Sequence, residues 1–198
     1  MSPRPDVSEE RKDQILDAAS EVFAEKGVHE ARMDDIVKES GLSKGTLYWY
    51  FKSKDEIIIS IFERLFSREL ADLDNLVSDD SPAADRLLRY AERITKDVFR
   101  LLPFAPIAYE FLSLAFRRKY FREAFKIYLN NHMAILVPII QQGVDSGEFR
   151  RVDAHEAAIA VGAIFEGTLL LWVYDHSFVK PEKHILSGVN LIIDGMKA

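Results

Sequence analysis

Apolar side chains recur every three or four residues over most of this chain, and this periodicity constrains the fold more than any other feature of the sequence. Only 9 glycines and 7 prolines are present, and the prolines fall mainly between the periodic segments. Runs of alternating β-branched residues, which would favour strands, are absent. The sequence therefore predicts an all-α protein of about nine helices.

The composition is that of a packed protein rather than a disordered one. Hydrophobic residues make up 48% of the 198 residues and charged residues 29%, and this balance favours an apolar core with a solvated surface. The absence of cysteine excludes disulfides, thiolate metal sites and cysteine nucleophiles. Together with a first segment, MSPRPDVSEERKD, that lacks the apolar core of a signal peptide, it leads us to expect a cytoplasmic protein.

The segment 33–54, MDDIVKESGLSKGTLYWYFKSK, has the pattern of a helix-turn-helix. A short apolar face ends at Gly41, and Ser43 can cap a second helix whose buried face comprises only Leu47 and Phe51. The outer face of that helix presents Lys44, Thr46, Tyr48, Trp49 and Tyr50. Side chains of these types can contact phosphates, sugars and base edges of DNA.

Charge supports this interpretation only locally. The chain has 26 basic and 32 acidic residues, a net charge of −6, which by itself argues against a nucleic-acid partner. Residues 41–54, however, contain three lysines and no acidic residue. For an isolated helix the default interpretation would be a buried aromatic cluster with solvated lysines, and the complete motif in register argues against it.

The start of a fourth helix follows the helix-turn-helix. Ser53-Lys54-Asp55-Glu56 has the form of a capping box, in which hydroxyl and carboxylate each accept a hydrogen bond from the backbone. The helical spacing of apolar residues continues far beyond this cap. We therefore place a domain boundary near Ser53, which divides the chain into residues 1–53 and 54–198.

Residues 157–174, AAIAVGAIFEGTLLLWVY, are apolar on nearly all sides. A membrane span would need about 20 residues, and an ionisable residue, Glu166, lies near the centre of this run. A helix of this kind in a protein without a membrane is buried between neighbours, and Gly162 and Gly167 would let a partner helix approach closely. The run therefore predicts a dimer core and no membrane contact.

From Ile15 to Ile57 the sequence resembles the tetracycline-repressor (TetR) family of transcription regulators. The similarity includes the first-helix pattern ILDAASEVFAEKG, the turn SGLSKGTLYWYF and the helix start KSKDE. Elsewhere it is loose, resting on the helix count and the stretch GVDSGEFRRVDAHEAA. The resemblance implies a DNA-binding domain in residues 1–53 and a ligand-binding and dimerisation domain in residues 54–198. It also implies a homodimer whose interface is formed by the last two helices, about Ala154–Tyr174 and Pro181–Met196.

The resemblance further implies that the chain binds double-stranded operator DNA through the start of the second helix of the motif. Lys54 would contact phosphate. Where the family usually has hydroxyl residues before the preceding helix, this chain has Ala31 and Arg32, and the charge of Arg32 is a possible substitute for the missing contact. The predicted DNA-binding residues are Arg32, Ser43, Lys44, Gly45, Thr46, Tyr48, Trp49, Tyr50 and Lys54.

A small-molecule pocket among helices four to eight is also implied by the resemblance. The many aromatic residues there would suit a hydrophobic or aromatic effector that a few polar groups orient. His132 and Glu166 are candidates for those groups, and the alternative that either one pairs in a dimer interface or reaches the surface stays open. The predicted effector-binding residues are Phe62, Phe104, Tyr109, Phe111, Tyr128, His132, Phe165, Glu166 and Leu169.

Motifs of catalysis are not found. The five histidines have no paired spacing, and neither a glycine-rich phosphate loop nor a Ser-His-Asp signature stands out, so we expect no metal, no cofactor and no catalytic residues. The function we predict is that of a ligand-responsive repressor released from a palindromic operator by its effector. Two rivals are an enzyme or carrier with a vestigial helix-turn-helix, and a regulator that activates transcription or responds to a protein partner.

Overall fold

The computed structural model describes residues 7–71, 73–101 and 105–198. The predicted effector-binding residue Phe104 lies outside this part of the chain. Within it there are nine α-helices, one 3-10 turn at Asp74–Leu76 and no β-strand. One isolated antiparallel bridge joins Phe149 and Lys197. The predicted all-α class is confirmed.

The helices follow one another with short connections. In chain order they are α1 (Val7–Glu30), α2 (Met33–Ser40), α3 (Lys44–Tyr50), α4 (Lys54–Ala71), α5 (Ala83–Leu101), α6 (Ala105–Arg117), α7 (Lys119–Asp145), α8 (Ala154–Tyr174) and α9 (Pro181–Met196).

Local signals in the sequence set several of these boundaries. The regular backbone of α1 breaks at Gly27 and α2 ends at Gly41, where φ is 77° and 67° respectively. Glycine adopts such positive φ values without steric cost. The carboxylate of Asp153 accepts hydrogen bonds from the backbone N–H groups of His155 and Glu156 at the start of α8. The helix end predicted at Gly41 is confirmed.

The capping box at the start of α4 is only half as expected. The hydroxyl of Ser53 accepts a hydrogen bond from the Glu56 N–H at 3.3 Å, as the motif predicts. The Glu56 carboxylate, however, accepts from the backbone N–H of Lys52 at 2.7 Å rather than from Ser53. The predicted reciprocal bond was therefore wrong by one residue, because the preceding residue offers a free donor within reach.

Contacts divide the chain into two compact units. The first comprises residues 1–66 and 101–126. In its described part, large apolar side chains from α1 to α4, α6 and α7 are fully buried, among them Ile15, Phe23, Ile36, Leu47, Ile61, Phe111 and Phe121. Arg64 of α4 forms ion pairs with Asp13 and Asp17 of α1, and Arg118 pairs with Asp55.

The second unit comprises residues 67–100 and 127–198. One continuous apolar core joins α5, α7, α8 and α9, and it includes Leu87, Tyr90, Leu136, Ile139, Phe165, Ile185 and Val189. A side chain on Gly188 would come within 2.8 Å of Ile164, so glycine allows α8 and α9 to pack closely here. The predicted functional boundary at residue 53 is a separate question, and it stays a prediction.

Candidate functional site

Helix α3 is short, and its two ends are fixed by hydrogen bonds. At the N-terminus the hydroxyl of Ser43 accepts from the Thr46 N–H at 3.0 Å, which confirms the predicted cap. At the C-terminus the ammonium of Lys52 donates to the carbonyl oxygens of Tyr48 and Trp49. Leu47 is the one residue of α3 that is fully buried, so the burial of a single leucine anchors this helix to its unit.

The outer face of α3 is open to solvent. Lys44 and Gly45 are exposed, Trp49 is 67% exposed, and Thr46, Tyr48 and Tyr50 are half-buried. The rings of Trp49 and Tyr50 meet edge to face at 4.6 Å. We call these six residues the α3 ridge. Its aromatic side chains are not core residues, and they offer ring faces and hydroxyls to a molecule that lies against the helix.

An ion pair joins the α3 ridge to α2. The ammonium of Lys44 lies 2.6 Å from the Asp34 carboxylate and 6.0 Å from the centre of the Tyr48 ring. The hydrogen bond with Asp34 raises the pKa of Lys44, so this cation stays fully charged at neutral pH. Both partners are exposed, which leaves them free to exchange partners with a ligand.

Arg32 lies at the N-terminal cap of α2 and makes no side-chain cap bond. Its backbone N–H instead donates to the Asp35 carboxylate at 2.8 Å, so a residue inside the helix satisfies the donor. Asp35 also pairs with Lys26 at 2.7 Å, and the hydrogen bond with that lysine lowers the pKa of Asp35. The Arg32 side chain itself is exposed, and its contact with DNA stays a prediction.

Lys54 has a structural role that sequence reasoning missed. Its ammonium donates to the carbonyl oxygens of Val28, His29 and Ala31 at 2.7, 3.1 and 2.8 Å. An ammonium has three donors, and all three are used by the end of α1 and the link to α2. The predicted phosphate contact of Lys54 stays a prediction, and it would have to compete with these three bonds.

Two of the predicted effector-binding residues meet in the first unit. The rings of Phe62 and Phe111 are stacked at 3.7 Å with nearly parallel planes, and both are buried. Phe121 lies edge to face against Phe111 at 5.4 Å. Tyr109, on the same helix as Phe111, is 37% exposed. The predicted residues of α4 and α6 therefore include a buried aromatic stack.

Three further predicted residues belong to one buried cluster in the second unit. Nδ1 of His132 on α7 is hydrogen-bonded to the hydroxyl of Tyr90 on α5 at 2.6 Å. The ring of Tyr128 lies 4.4 Å from the imidazole, and that of Phe165 lies 6.0 Å from Tyr90. We call these four residues the His132 cluster. Tyr90 was not predicted, because the sequence does not indicate which side chain of α5 meets His132 of α7.

His132 is neutral at physiological pH. It is 6% exposed, and burial lowers its pKa to about 4, since a charged imidazolium loses its hydration in an apolar surrounding. Its Nε2 atom is buried and has no hydrogen-bond partner among the described residues. A buried polar atom in this state costs about 1–3 kcal/mol, and it therefore calls for an explanation.

Glu166 and Leu169 lie apart from these contacts. Glu166 is exposed on the surface of the single chain, although partial desolvation among apolar neighbours raises its pKa. Leu169 is half-buried. Whether either of them contacts an effector stays a prediction.

Helix α8 is buried on one face only. Ala154, Ala158, Val161, Phe165 and Thr168 face the core of the second unit, whereas Ile159, Leu170, Leu171 and Tyr174 are exposed. By length and hydropathy α8 is the one described helix that could cross a membrane, and 22% of the tested segment is buried. The exposed side of α9 adds Leu191, which is 71% exposed. We call these five exposed residues the α8–α9 face.

Comparisons with known proteins agree with this architecture. The family model of bacterial regulatory proteins, tetR family, matches residues 15–61. The HTH-type transcriptional regulator YfiR of Bacillus subtilis is 34% identical over 163 residues, which cover 77% of this chain and 75% of that protein. The fatty acid metabolism regulator protein of Bacillus subtilis is 29% identical over 164 residues, 81% and 82% of the two chains.

A solved structure extends the similarity to the complete fold. The transcriptional regulator FadR from Bacillus subtilis, in complex with stearoyl-CoA, matches with a TM-score of 0.78 at 25% identity, covering 93% of this chain and 98% of that one. These relatives are regulators and not enzymes, so the interpretation as an enzyme with a vestigial helix-turn-helix is excluded. The chain belongs to the tetR family of bacterial regulatory proteins, and it is a ligand-responsive DNA-binding transcription regulator.

Proposed function

We propose that this regulator is a cytoplasmic repressor that binds a palindromic operator as a homodimer and is released by an effector with a long acyl chain. In this proposal residues 1–53 contact DNA, and residues 54–198 bind the effector and form the dimer. The observation that carries the proposal is the α3 ridge, an exposed face with a cation, hydroxyls and aromatic rings on a helix anchored by one buried leucine.

The α3 ridge suits the major groove. A helix of this kind reads base edges with its N-terminal residues, while cations and hydroxyls contact phosphates. Lys44 and Tyr48 lie about one helical turn apart on α3, and Thr46 lies between them in the sequence. These three side chains supply the required chemical groups. Ser43, Gly45, Trp49 and Tyr50 complete the proposed contact surface, and Arg32 and Lys54 would flank it.

The α8–α9 face supports the homodimer. Exposed apolar side chains are costly to hydrate, and contiguous apolar patches on a single chain usually mark an interaction surface. A two-fold axis through this face would bring the same residues of two copies together. The two α3 ridges would then meet half-sites about 34–36 Å apart, or a multiple of that distance, on a palindromic operator.

The acyl-chain effector is supported by two relatives. One of them is a regulator of fatty acid metabolism, and another was solved in complex with stearoyl-CoA. In the second unit this chain has a buried aromatic group, the His132 cluster, in helices where the pocket is expected, and Glu166 and Leu169 would complete its lining. The effector contacts of Phe62, Tyr109 and Phe111, which belong to the first unit, stay predictions. Release requires only that the effector binds the DNA-free conformation more tightly than the DNA-bound one.

A gel-shift titration tests the proposal. The purified protein and DNA from its own promoter region are mixed at several salt concentrations, with and without stearoyl-CoA. We expect affinity to fall steeply with salt, since bound phosphates release counterions, and stearoyl-CoA to dissociate the complex. Affinity that does not depend on salt would contradict the DNA-binding surface, and a complex that stearoyl-CoA leaves intact would contradict the effector.

A reporter gene behind the same promoter separates repression from activation. We expect deletion of the regulator to raise transcription. A fall in transcription on deletion would identify an activator with the same DNA-binding surface.

A further inference from the structure

The buried imidazole of His132 has one nitrogen in use and one without a partner. Nδ1 is hydrogen-bonded to the Tyr90 hydroxyl at 2.6 Å. Nε2 is buried, and no group of the described chain lies within hydrogen-bond distance of it. The surroundings are aromatic: Tyr128 packs on the imidazole at 4.4 Å, and Phe165 packs on Tyr90. A folded protein seldom leaves such an atom unpaired unless the site serves a ligand or holds a water.

Tyr90 determines what Nε2 can do. A neutral imidazole carries one proton, and the hydrogen bond made by one nitrogen decides which nitrogen holds it. A phenol is a better donor than acceptor, so we assign the Tyr90 hydroxyl as the donor to Nδ1 and place the imidazole proton on Nε2. The atom without a partner is therefore an N–H donor, which requires an oxygen acceptor from outside the cluster.

The surroundings also select among acceptors. A carboxylate would have to lose its hydration in an aromatic environment without a compensating positive charge, whereas a neutral carbonyl loses far less. The polar side chains of the cluster are two phenols and the uncharged imidazole. None of them carries a positive charge. The site therefore favours a ligand in which a neutral carbonyl is attached to an apolar chain.

We propose that Nε2–H of His132 donates a hydrogen bond to the acyl carbonyl oxygen of the effector, and that Tyr90 is the positioning residue that fixes this donor. The inference rests on the proposed acyl-chain effector and makes it specific: a thioester, ester or amide is recognised, and a free fatty acid is not. The half-buried Tyr128 is the member of the cluster whose displacement would admit the chain.

The test compares two probes that differ at one carbon. Stearoyl-CoA has the carbonyl, and S-octadecyl-CoA has a methylene in its place. For the wild-type protein we expect stearoyl-CoA to bind about three- to tenfold more tightly, the range of one neutral hydrogen bond. His132→Phe should reduce this ratio to about one, and His132→Gln, which keeps an N–H donor, should restore part of it. Stearate should bind more weakly than stearoyl-CoA.

Two further variants secure the interpretation. Tyr90→Phe keeps the ring and its packing but removes the hydroxyl that fixes the tautomer of His132, so the ratio of the affinities for the two probes should fall. This variant tests the inference even if His132→Phe does not fold. His155→Phe changes an exposed histidine of α8 and should leave the ratio unchanged. If the wild-type protein binds both probes equally and both release the operator, the inference is overturned while the proposed function stands.

Other outcomes are equally decisive. A ratio that survives in His132→Phe and in Tyr90→Phe overturns the inference, as does a crystal structure of the complex in which Nε2 is bonded to water instead of the carbonyl. If neither probe binds while operator binding persists, the acyl-chain effector and this inference fail together, and the DNA-binding part of the proposal remains.

Discussion

Helix α3 buries a single leucine and helix α8 a row of side chains, and each leaves its opposite face uncovered in the single chain. On α3 the uncovered side chains are a lysine, a threonine and aromatic rings with hydroxyl or indole groups. On α8 the large apolar side chains among them are isoleucine, leucine and tyrosine. Exposure alone does not distinguish the two helices. The chemistry of the exposed groups does, because a polyanion is bound by cations and polar rings and a second copy by apolar area.

The two helices also differ in what holds them in place. With seven residues, α3 is shorter than a helix that is stable by itself, so its caps and Leu47 determine its position. The 21 residues of α8 bury a continuous row of side chains in the core of their unit. A substitution on the α3 ridge should therefore affect DNA binding with little effect on folding, and a substitution on the α8–α9 face should affect assembly.

The largest effect is expected from charges on the α8–α9 face. In a symmetric dimer, Leu170→Glu combined with Leu191→Glu removes four apolar side chains from the interface, each worth about 1.5–3 kcal/mol. We expect the dimer dissociation constant to rise by at least about 1,000-fold and operator binding to be lost with it. Sedimentation velocity and gel shifts measure the two effects.

Phe116 provides the matched control for this substitution. It is an apolar residue of α6 that is 84% exposed, so Phe116→Glu changes surface chemistry in the same way on another helix. The control variant should remain a dimer. If the dimer dissociation constant of the double glutamate variant is also unchanged, the α8–α9 face is not the interface.

The second effect concerns the α3 ridge. Lys44→Ala with Tyr48→Ala removes one cation and one ring with its hydroxyl, and specific contacts of this kind are worth about 1–3 kcal/mol each. We expect operator affinity to fall about 100-fold, and the salt dependence to weaken by about one released counterion. Lys183→Ala, at an exposed lysine of α9, makes the same change in net charge. It should leave the operator affinity and its salt dependence unchanged. Unaltered affinity in the double variant would refute the ridge as the DNA-binding surface.

A third effect separates two lysines that look alike in sequence. Lys54→Met leaves three carbonyl oxygens, at the end of α1 and in the link to α2, without their donor. We expect thermal unfolding to show a loss of stability of about 2 kcal/mol. Lys52→Met removes an exposed ammonium from the end of α3 and should cost less than about 1 kcal/mol. Equal stability of the two variants would mean that the contacts of Lys54 are not structural.

Local signals explain why much of the fold could be predicted. Gly27 breaks the regular backbone of α1 and Gly41 ends α2 because both adopt positive φ, and Ser43 and Asp153 begin α3 and α8 because their oxygens accept from free backbone N–H groups. These interactions join residues at most three positions apart. The family pattern in the sequence adds the helix-turn-helix itself, whose DNA contacts remain predictions.

Contacts between distant residues could not be predicted in this way. Tyr90 and His132 are 42 positions apart, and Lys54 binds carbonyls 23 to 26 positions before it. Which side chains of two helices meet depends on the rotation and tilt of packed helices, and apolar periodicity gives only the buried face. The phosphate contact of Lys54 was therefore taken from the family resemblance without its contacts with α1, and the role of Tyr90 was missed.

The ion pair of Lys44 with Asp34 is another such contact, and it gives the smallest effect. Both groups are exposed, so the pair is worth less than about 1 kcal/mol, and phosphate must displace Asp34 before Lys44 can bind it. Asp34→Asn should therefore raise operator affinity about threefold at low salt, with a gain that fades as salt screens both interactions. Asp85→Asn removes an exposed acid from the first turn of α5 and controls for net charge and for the helix dipole. If both variants bind the operator like the wild type at low salt, Asp34 does not compete with DNA for Lys44.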